Sequence, residues 1–300
     1  MKKKIAIIAG INGQDGYFLA SLLKKKNYTT VGLSRGSENK HKLNKVKIIK
    51  TNYTFHHIKK IIKTVKPDII FNLAGESNPE ASWKKINIFN KSIVQINSNF
   101  LNAIVENSKK IKYFYASSSE IFGLQKRKIS EKSPFIPNNP YGCFKLSSHL
   151  LVRLYREKKK LFAVNGILFN HDSKLRSNKY LLPEIINFCK KYQKGQTLKL
   201  IDGGVIRDFG HAEDVVKAIY QVMTINNPDD YIISCGNVFS VKQIAKEIFR
   251  KFNINFKNIQ FLKMSKNNIR IGNTTKLRKK IKWDLKYKKE NFLKEIINEY

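Results

Sequence analysis

The sequence has few cysteines, and their spacing excludes the common cysteine-based sites. Only three occur among 300 residues, at Cys143, Cys189 and Cys235. An odd number at such distances forms neither a disulfide framework nor a metal site with paired ligands. Isolated thiols are typical of a reducing compartment, so we expect a cytoplasmic protein without a bound metal.

Long apolar runs are also missing. The basic start MKKK is followed by an apolar stretch that breaks at Gly10, too soon for the core of a signal peptide. No later run approaches the ~20 apolar residues of a membrane-spanning helix. We therefore expect a soluble protein with no membrane partner.

Acidic residues are scarce, since 22 Asp and Glu stand against 58 Lys and Arg, for a net charge of +36. Such a balance is found in nucleic-acid-binding proteins and in enzymes with anionic ligands. The lysines are spread over nearly every helical stretch, which indicates a compositional bias, and we expect no nucleic-acid partner. One alternative stays open at KLRKKIKWDLKYKK, residues 276–289. Its lysines could contact phosphates while Trp283 and Tyr287 stack on bases, as in a non-catalytic RNA-contacting protein.

What the sequence does contain is an alternation of short β-type runs and helical stretches. KIAIIAG (4–10) is typical of a buried strand and QDGYFLASLLKKKN (14–27) of an amphipathic helix, and the alternation continues to about Phe169. This pattern predicts an α/β fold with a Rossmann-type doubly wound parallel sheet. A looser rhythm afterwards favours a smaller C-terminal α/β substrate-binding region. The expected boundaries are 1–168 plus about 207–236 for the cofactor domain, and about 169–206 plus 237–300 for the second region.

Three glycines, Gly10, Gly13 and Gly16, lie between the first strand and the first helix. A tight turn, a close approach of backbone to phosphate and helix–strand packing each favour glycine at such a spacing. The helix N-terminus then offers free N–H groups to an anion. The sequence therefore predicts a dinucleotide site at this turn.

The end of the second strand indicates which dinucleotide binds. An acidic residue there normally binds the ribose 2′-hydroxyl of NAD. Here Arg35 stands beside Ser34 and Ser37, and Glu38 is displaced. Because a guanidinium pairs bidentately with a phosphate, the sequence predicts NADP as the cofactor.

Tyr141 and Lys145 form a Y-x-x-x-K pair, whose spacing puts both side chains on one helix face. Tyr155 and Lys159 repeat the pattern near a solvated helix end. Tyr141 follows Pro140 at a helix start, one loop after the fifth strand, where ligands bind in such sheets. We expect Tyr141 to be a catalytic base whose phenol pKa is lowered by Lys145.

The strand before that helix ends in YASSSEIFG, residues 115–123. Ser118 supplies a hydroxyl for the substrate oxygen that Tyr141 deprotonates. A carboxylate beside it, Glu120, has no role in a simple dehydrogenase, but it can remove a proton next to a new ketone and so permit an elimination. The remaining interpretation of Glu120 is a turn acid that caps backbone N–H groups.

Several stretches together resemble the GDP-mannose 4,6-dehydratase family of extended short-chain dehydrogenases/reductases. GINGQDG resembles its G-I-T-G-Q-D-G, ASSSEIFG its A-S-T-S-E-L-Y-G, and NPYGCFK its S-P-Y-G-x-x-K. LFAVNGILFNHDS is nearly identical to its sixth strand and following loop, and RDFGHAEDVV resembles R-D-W-G-H-A-x-D-Y-V. The resemblance covers roughly residues 4–295. It implies dehydration of GDP-mannose to GDP-4-dehydro-6-deoxy-mannose, with hydride passing from C4 to C6 through NADP.

The resemblance also implies roles for individual residues. The catalytic residues would be Ser118, which stands where the family has threonine, with Glu120, Tyr141 and Lys145. The cofactor contacts would be Gly10, Asn12, Gly13, Gln14, Asp15, Gly16, Arg35, Ser37, Asn52, Tyr53, Leu73, Ala74, Gly75, Ser77, Tyr141, Lys145, His171 and Arg176. The substrate contacts would be Ser77, Ser118, Asn170 and Arg207.

Departures from the family pattern leave two points open. The family's second arginine after strand two is Gly36 here, and the loop that helps to build its tetramer is shorter, so we expect a homodimer and leave the tetramer open. Family positions that contact the cofactor are occupied by Asn52, Tyr53 and Ile88. The serine at position 118 keeps open a related reductase or epimerase of a 4-keto-6-deoxy sugar.

Overall fold

A parallel sheet of seven strands forms the centre of the fold in the computed structural model, which describes residues 3–36, 38–41, 43, 46–266 and 268–300. The strands of all sheets in the described residues are β1 (Ile5–Ala9), β2 (Thr29–Ser34), β3 (Lys47–Lys50), β4 (Ile69–Asn72), β5 (Lys112–Ser118), β6 (Ala163–Leu168), β7 (Asn170–Asp172), β8 (Leu198–Asp202), β9 (Ile206–His211), β10 (Asp230–Ile233), β11 (Asn237–Ser240), β12 (Ile259–Lys263) and β13 (Ile269–Arg270). The central sheet has the order β10-β6-β5-β4-β1-β2-β3. The predicted Rossmann-type fold is confirmed. Ser37, expected at the cofactor, lies outside the described residues.

Helices cover both faces of this sheet. They are α1 (Gln14–Lys25), α2 (Phe55–Val65), α3 (Pro79–Lys84), α4 (Ile86–Asn90), α5 (Ile96–Asn107), α6 (Pro140–Lys158), α7 (Leu181–Lys190), α8 (Ala212–Val222), α9 (Val241–Lys251), α10 (Thr275–Arg278) and α11 (Lys289–Glu299). A π-helical turn, Lys91–Gln95, joins α4 to α5, and a 3₁₀ turn, Ser119–Phe122, follows β5. None of the helices within the described residues is long and apolar enough to cross a membrane.

The central strands are apolar on both faces because both faces are covered. In β1, Ala6 and Ile8 pack into the core layer that contains α1 and α8, while Ile7 and Ala9 pack into the layer that contains α2 and α5. Successive side chains of a strand point to opposite faces, so a continuous apolar run fills both layers.

Local sequence signals set the ends of the helices that matter for the site. Helix α6 begins with Pro140, and the side chain of Asn139 caps it by accepting a hydrogen bond of 2.8 Å from the N–H of Gly142. Helix α2 ends at Lys66, which has a φ of +50°, just before Pro67. Each helix therefore starts or stops where the backbone chemistry requires it.

The C-terminal part of the chain builds a second, smaller sheet, in which β9 pairs with β7, β11 and β13. Strands β8 and β12 pair separately. A third apolar cluster lies between α7, α9 and α11. We keep the division into a cofactor domain and a substrate-binding region, with the boundaries given above, as a proposal.

The carboxylate of Asp230, at the start of β10, joins several elements. Its oxygens lie 3.2 Å from His149 Nε2 and 3.0 Å from Arg156 Nη2, and Arg153 Nε also pairs with it. Asn165 Nδ2 of β6 donates a hydrogen bond of 2.8 Å to the same carboxylate. Burial alone would raise the pKa of Asp230, but the contacts with His149 and the two arginines outweigh burial and hold it well below its ordinary value. Helix α6 is thereby fixed against β6 and β10.

Candidate active site

The carboxyl ends of β1, β4, β5 and β6 open into one cleft, where ligands bind in open α/β sheets. Of the predicted site residues, an inner cavity is lined by Gly10, Gly13, Gln14, Asp15, Gly16, Leu73, Gly75, Ser77, Ser118, Glu120, Tyr141, Lys145, Asn170, His171, Arg176 and Arg207. An adjacent outer cavity is lined by Gly10, Asn12, Gly13, Arg35, Tyr53, Leu73, Ala74 and Gly75. Asn52 lines neither cavity within the described residues, because its side chain turns to accept hydrogen bonds from Thr54.

The glycine-rich turn between β1 and α1 lets a ligand approach the protein backbone closely. Gly10 has a φ of +83°, a conformation that other residues rarely adopt. A Cβ on Gly16 would fall 2.5 Å from the carbonyl oxygen of Gly10. The first N–H groups of α1 receive no side-chain cap from Gly13. Such a turn fits the pyrophosphate of a nicotinamide dinucleotide, which would lie on the free N–H groups.

The outer cavity, next to the end of β2, is lined by cationic residues. Arg35 is exposed, and its guanidinium lies 3.2 Å from Glu76 Oε1. Lys40, which the sequence analysis did not single out, lines the same cavity. Asn12 holds this loop in place, because its side chain bonds Ser34 Oγ at 3.0 Å and accepts from the Lys40 N–H at 3.3 Å. Two cationic residues, Arg35 and Lys40, thus line the outer cavity.

Asp15 and His171 connect α1 to β7 across the floor of the inner cavity. His171 Nε2 lies 3.0 Å from both carboxylate oxygens of Asp15. Burial would lower the pKa of His171, but the charge and hydrogen bond of Asp15 outweigh burial and raise it. Burial would raise the pKa of Asp15, and His171 with Arg176 reverses this so that it is lowered. The hydrogen-bonded pair fixes the cavity floor.

Tyr141 and Lys145 lie side by side on the first turns of α6, and both are buried. Lys145 Nζ donates to the carbonyl of Ala116 at 2.8 Å and lies 5.7 Å from the centre of the Tyr141 ring. Burial lowers the pKa of Lys145 to about 8, with Asp15 opposing the change. The pKa of the Tyr141 phenol is raised above its ordinary value by burial, against the nearby Ser118 hydroxyl.

The expectation that Lys145 lowers the phenol pKa was therefore wrong. The ammonium hydrogen-bonds a backbone carbonyl instead of the phenol, and removal of both groups from water has the larger effect. A buried phenol with a raised pKa needs a further positive charge beside it before it can serve as a base.

Glu120 lies in the 3₁₀ turn after β5, with its side chain 13% exposed and facing the inner cavity. Its backbone N–H donates to Ser118 Oγ at 3.2 Å. The carboxylate does not cap backbone N–H groups among the described residues. Instead it accepts a hydrogen bond of 2.9 Å from Asn139 Nδ2 and pairs with the guanidinium of Arg270.

The substrate side of the inner cavity is formed by Ser77, Asn170 and Arg207, as predicted, and by Tyr180. Ser77 Oγ and Tyr180 OH lie 2.6 Å apart. The Nε of Arg207 is buried and has no hydrogen-bond partner among the described residues. Burial, and then the charge of Arg270, lowers the pKa of Arg207 to about 10. A guanidinium on a cavity wall, with one nitrogen unpartnered among the described residues, is suited to an anionic ligand.

The aromatic residues proposed for RNA stacking are not available for it. Trp283 is buried and donates from Nε1 to the carbonyl of Asp214 at 2.8 Å. Tyr287 is also buried, and its ring stacks on His211 with centres 3.9 Å apart. The basic segment 276–289 therefore presents lysines without aromatic stacking surfaces, and this alternative loses its structural basis.

Solved structures with the same fold include a dehydratase and an epimerase of nucleotide sugars. The chain is similar to a dTDP-glucose 4,6-dehydratase from Bacillus anthracis in complex with NAD, with a TM-score of 0.85 at 20% identity over 99% of this chain and 96% of that chain. It is similar to a UDP-glucuronic acid 4-epimerase from Bacillus cereus in complex with UDP-glucuronic acid and NAD, with a TM-score of 0.86 at 16% identity over 98% of each chain. The fold is that of the epimerases and dehydratases of nucleotide sugars.

Sequence comparison identifies the family. A family model described as GDP-mannose 4,6 dehydratase matches residues 7–296. The GDP-mannose 4,6 dehydratase of Homo sapiens is 33% identical, over 82% of this chain and 72% of the relative. GDP-mannose 4,6 dehydratase 1 of Arabidopsis thaliana is 30% identical, over 99% of this chain and 90% of the relative. The chain belongs to the GDP-mannose 4,6-dehydratase family, so the resemblance found in the sequence is confirmed, and it is by family a nucleotide-sugar dehydratase.

Burial of Lys145 makes the stability of the protein depend on pH. The pKa of Lys145 falls from 10.5 to about 8 on folding, so the unfolded chain binds the extra proton between these pH values. The cost of burying the ammonium is complete below pH 8 and disappears as the pH rises toward 10.5. Lys145→Met should therefore raise the free energy of unfolding at pH 7 by about 1–3 kcal/mol while abolishing turnover.

Denaturant unfolding from pH 7 to 10 would measure this gain, which should shrink as the pH rises. Lys158→Met, at an exposed position of the same helix, is the control and should show no such pH dependence. A variant at position 145 that is less stable than wild type at pH 7 would mean that the bond to Ala116 outweighs desolvation.

Proposed function

We propose that the protein converts GDP-mannose to GDP-4-dehydro-6-deoxy-mannose, with NADP as a cofactor that is restored in every turnover. The single observation that carries this proposal is the placement of a carboxylate, Glu120, in the same cavity as Tyr141 and Ser118. A reaction confined to C4 needs only the phenol and the hydroxyl. An elimination across C5 and C6 needs a second acid/base group, and Glu120 is suited to that role.

The first half of the reaction takes place at C4 of the sugar. Ser118 orients the 4-hydroxyl, and Tyr141 takes its proton. The glycine-rich turn and Lys145 would hold the nicotinamide dinucleotide, which would supply the hydride acceptor for C4, the hydride donor for C6 and a positive charge. Lys145 would bind the cofactor from the same helix face, and the positive charge of the cofactor would favour the phenolate of Tyr141.

The second half takes place at C5 and C6. The new ketone at C4 acidifies the C5 proton, which the Glu120 carboxylate removes. Glu120 then passes this proton to the C6 hydroxyl, which leaves as water while a double bond forms between C5 and C6. Hydrogen at C6 and a proton at C5 complete the 6-deoxy sugar. Atoms balance, because one water is lost and no reducing equivalent is consumed.

Residues at the far side of the inner cavity would hold the substrate. The guanidinium of Arg207, which lines this cavity, suits the diphosphate, because a phosphate group can pair bidentately with arginine. Asn170 and the hydroxyl pair of Ser77 and Tyr180 supply hydrogen bonds for the sugar. Binding the remote diphosphate fixes the sugar ring between the phenol and the carboxylate.

Replacing Glu120 with Gln tests the proposal. The amide keeps the shape of the side chain but removes the base, while Tyr141 and Lys145 stay intact. Formation of the 6-deoxy product should fall roughly 10²–10⁴-fold, the usual range for a positioned general base. Reduced cofactor should accumulate on the enzyme, because hydride transfer from C4 does not need Glu120. Absorbance of reduced nicotinamide and mass spectrometry of the sugar product measure the two steps.

Tyr141→Phe is the matched comparison, since it should give neither reduced cofactor nor product. Wild-type enzyme in deuterated water should place deuterium at C5, whereas the new hydrogen at C6 should come from C4. If Glu120→Gln turned over GDP-mannose like wild type, the dehydratase mechanism would lose its chemical basis.

Preference for NADP is the second part of the proposal, and it depends on the outer cavity. Arg35 and Lys40 supply two cations for a 2′-phosphate, whereas Glu76 competes for Arg35. Wild-type protein should bind NADP at least ~10-fold more tightly than NAD, a difference of about 1.4 kcal/mol. Arg35→Ala should remove most of this preference and Lys40→Ala part of it, whereas Glu76→Gln should increase it.

Calorimetric titration with both cofactors measures these differences. Lys110→Ala, at an exposed position just before the amino end of β5, is the control for net charge. Equal or reversed affinity of the wild-type protein for the two cofactors would contradict the proposal.

We further propose a cytoplasmic homodimer. Leu150 and Leu154 are 46% and 48% exposed on the outer face of α6, one turn apart. A second copy of the same helix, related by a twofold axis, is a self-complementary partner for such a stripe. Sedimentation of the wild-type protein should give a dimer, and Leu150→Glu with Leu154→Glu should give a monomer. A wild-type monomer at micromolar concentration would contradict this.

A further inference from the structure

Two arginines of the second sheet lie opposite each other at the edge of the inner cavity. Arg270 of β13 pairs in register with Arg207 of the parallel strand β9. Their situations differ. The Arg207 side chain lines the cavity with its Nε unpartnered among the described residues, whereas the guanidinium of Arg270 is only 5% exposed and pairs with Glu120. Only one of the two is therefore free for a ligand.

Arg270 is held rigidly where it meets Glu120. The neighbouring Ile269 exchanges two backbone hydrogen bonds with Gln125, at 2.8 and 3.1 Å, in addition to the pairing of β13 with β9. The Nε of Arg270 lies 3.4 Å from the carbonyl oxygen of Gly123, which ends the 3₁₀ turn that carries Glu120. The guanidinium thus contacts both the side chain and the end of that turn.

The other oxygen of the Glu120 carboxylate is held by Asn139. One end of this side chain donates to Glu120 Oε2 at 2.9 Å, and the other accepts from the N–H of Gly142 at 2.8 Å. Asn139 is the N-cap of α6, whose first turn carries Tyr141. A single amide therefore sets the distance between the helix of the phenol and the carboxylate.

We propose that Arg270 and Asn139 are positioning residues that form a two-point clamp on the Glu120 carboxylate and aim it at C5 of the sugar. The inference rests on the proposed function of Glu120. A glutamate side chain has several rotatable bonds, so a free carboxylate would sample many positions. Holding both oxygens fixes one of them, and a displacement of about 1 Å at a reacting group costs on the order of 10²-fold in rate.

The clamp also separates the roles of the two arginines. Because the charge of Arg270 is compensated by Glu120, Arg207 remains as the cation for the substrate diphosphate. Loss of Arg270 should therefore change the chemical step at C5, and loss of Arg207 should change substrate binding. This difference makes the inference testable by separating kcat from KM.

The test uses Arg270→Met and Arg270→Lys in the full-length protein with NADP and GDP-mannose. In Arg270→Met, reduced cofactor should form at the wild-type rate but persist, product formation should fall on the order of 10²-fold, and KM should stay unchanged. Arg270→Lys should recover part of the rate, because it restores the charge but not the planar fork. Thermal unfolding of each variant shows whether it is folded.

The outcomes distinguish the inference from the proposed function. If Arg270→Met slowed cofactor reduction and product formation equally, or raised KM alone, Arg270 would be a structural or substrate-binding residue and the clamp would be wrong. If Glu120→Gln stalled as expected while Arg270→Met turned over normally, the clamp alone would fail. If Glu120→Gln itself were active, the proposed function would fail, and the clamp with it.

Asn139 offers a matched pair of variants. Asn139→Ser keeps a helix cap but removes the donor to Glu120, so it should show the same persistence of reduced cofactor at nearly unchanged stability. Asn139→Ala removes both contacts and should also lower stability, by the loss of the cap. If reduced cofactor persisted no longer in Asn139→Ser than in the wild-type protein, the proposed role of Asn139 would be wrong.

Discussion

The placement of the active site depends on the contacts made by the buried carboxylate of Asp230. It binds His149 and two arginines of α6 and the side chain of Asn165 in β6. His149 lies eight residues after Tyr141 on the same helix, and its other ring nitrogen lies 3.1 Å from Ser117 Oγ at the end of β5. The rotation and height of α6 over the sheet are thereby fixed. Such a buried network adds little net stability, because desolvation opposes it, but it selects one arrangement of the helix.

The charges in the cleft divide into those that the chain pairs with itself and those that it leaves for ligands. Asp15 with His171, and Glu120 with Arg270, are internal pairs that fix geometry. Lys145 and Arg207 have no carboxylate within ion-pair distance among the described residues, and burial lowers the pKa of both. Both side chains therefore favour the arrival of a negative group. This local arrangement, and not the overall charge of +36, supports an anionic substrate and cofactor.

Much of the fold could be predicted because the local sequence patterns favour the same structure as the tertiary packing. The apolar runs of β1 and β4 to β6, the glycines after β1 and the Asn139-Pro140 helix start each specify their structure within a few residues. The glycine turn, Tyr141, Lys145, Ser118 and Glu120 do meet in one cavity. Arg270 could not be predicted, because it lies 150 residues after Glu120 in a strand of two residues. The prediction for the pKa of the Tyr141 phenol was wrong for a related reason. Spacing along a helix shows which groups are neighbours, but it does not show how far both are removed from water.

The position of Arg270 has a consequence for how the site is assembled. Tyr141 and Lys145 are carried by a helix that packs on the central sheet, whereas Arg207 and Arg270 come from the second sheet. Glu120 lies between them and contacts both, through Asn139 on one side and Arg270 on the other. A 4,6-dehydration needs one base at C4 and another at C5 of the same bound sugar, at a fixed separation. A carboxylate anchored to helix α6 and to the second sheet meets this need, because the Tyr141 phenol, the Glu120 carboxylate and Arg207 then keep one common geometry.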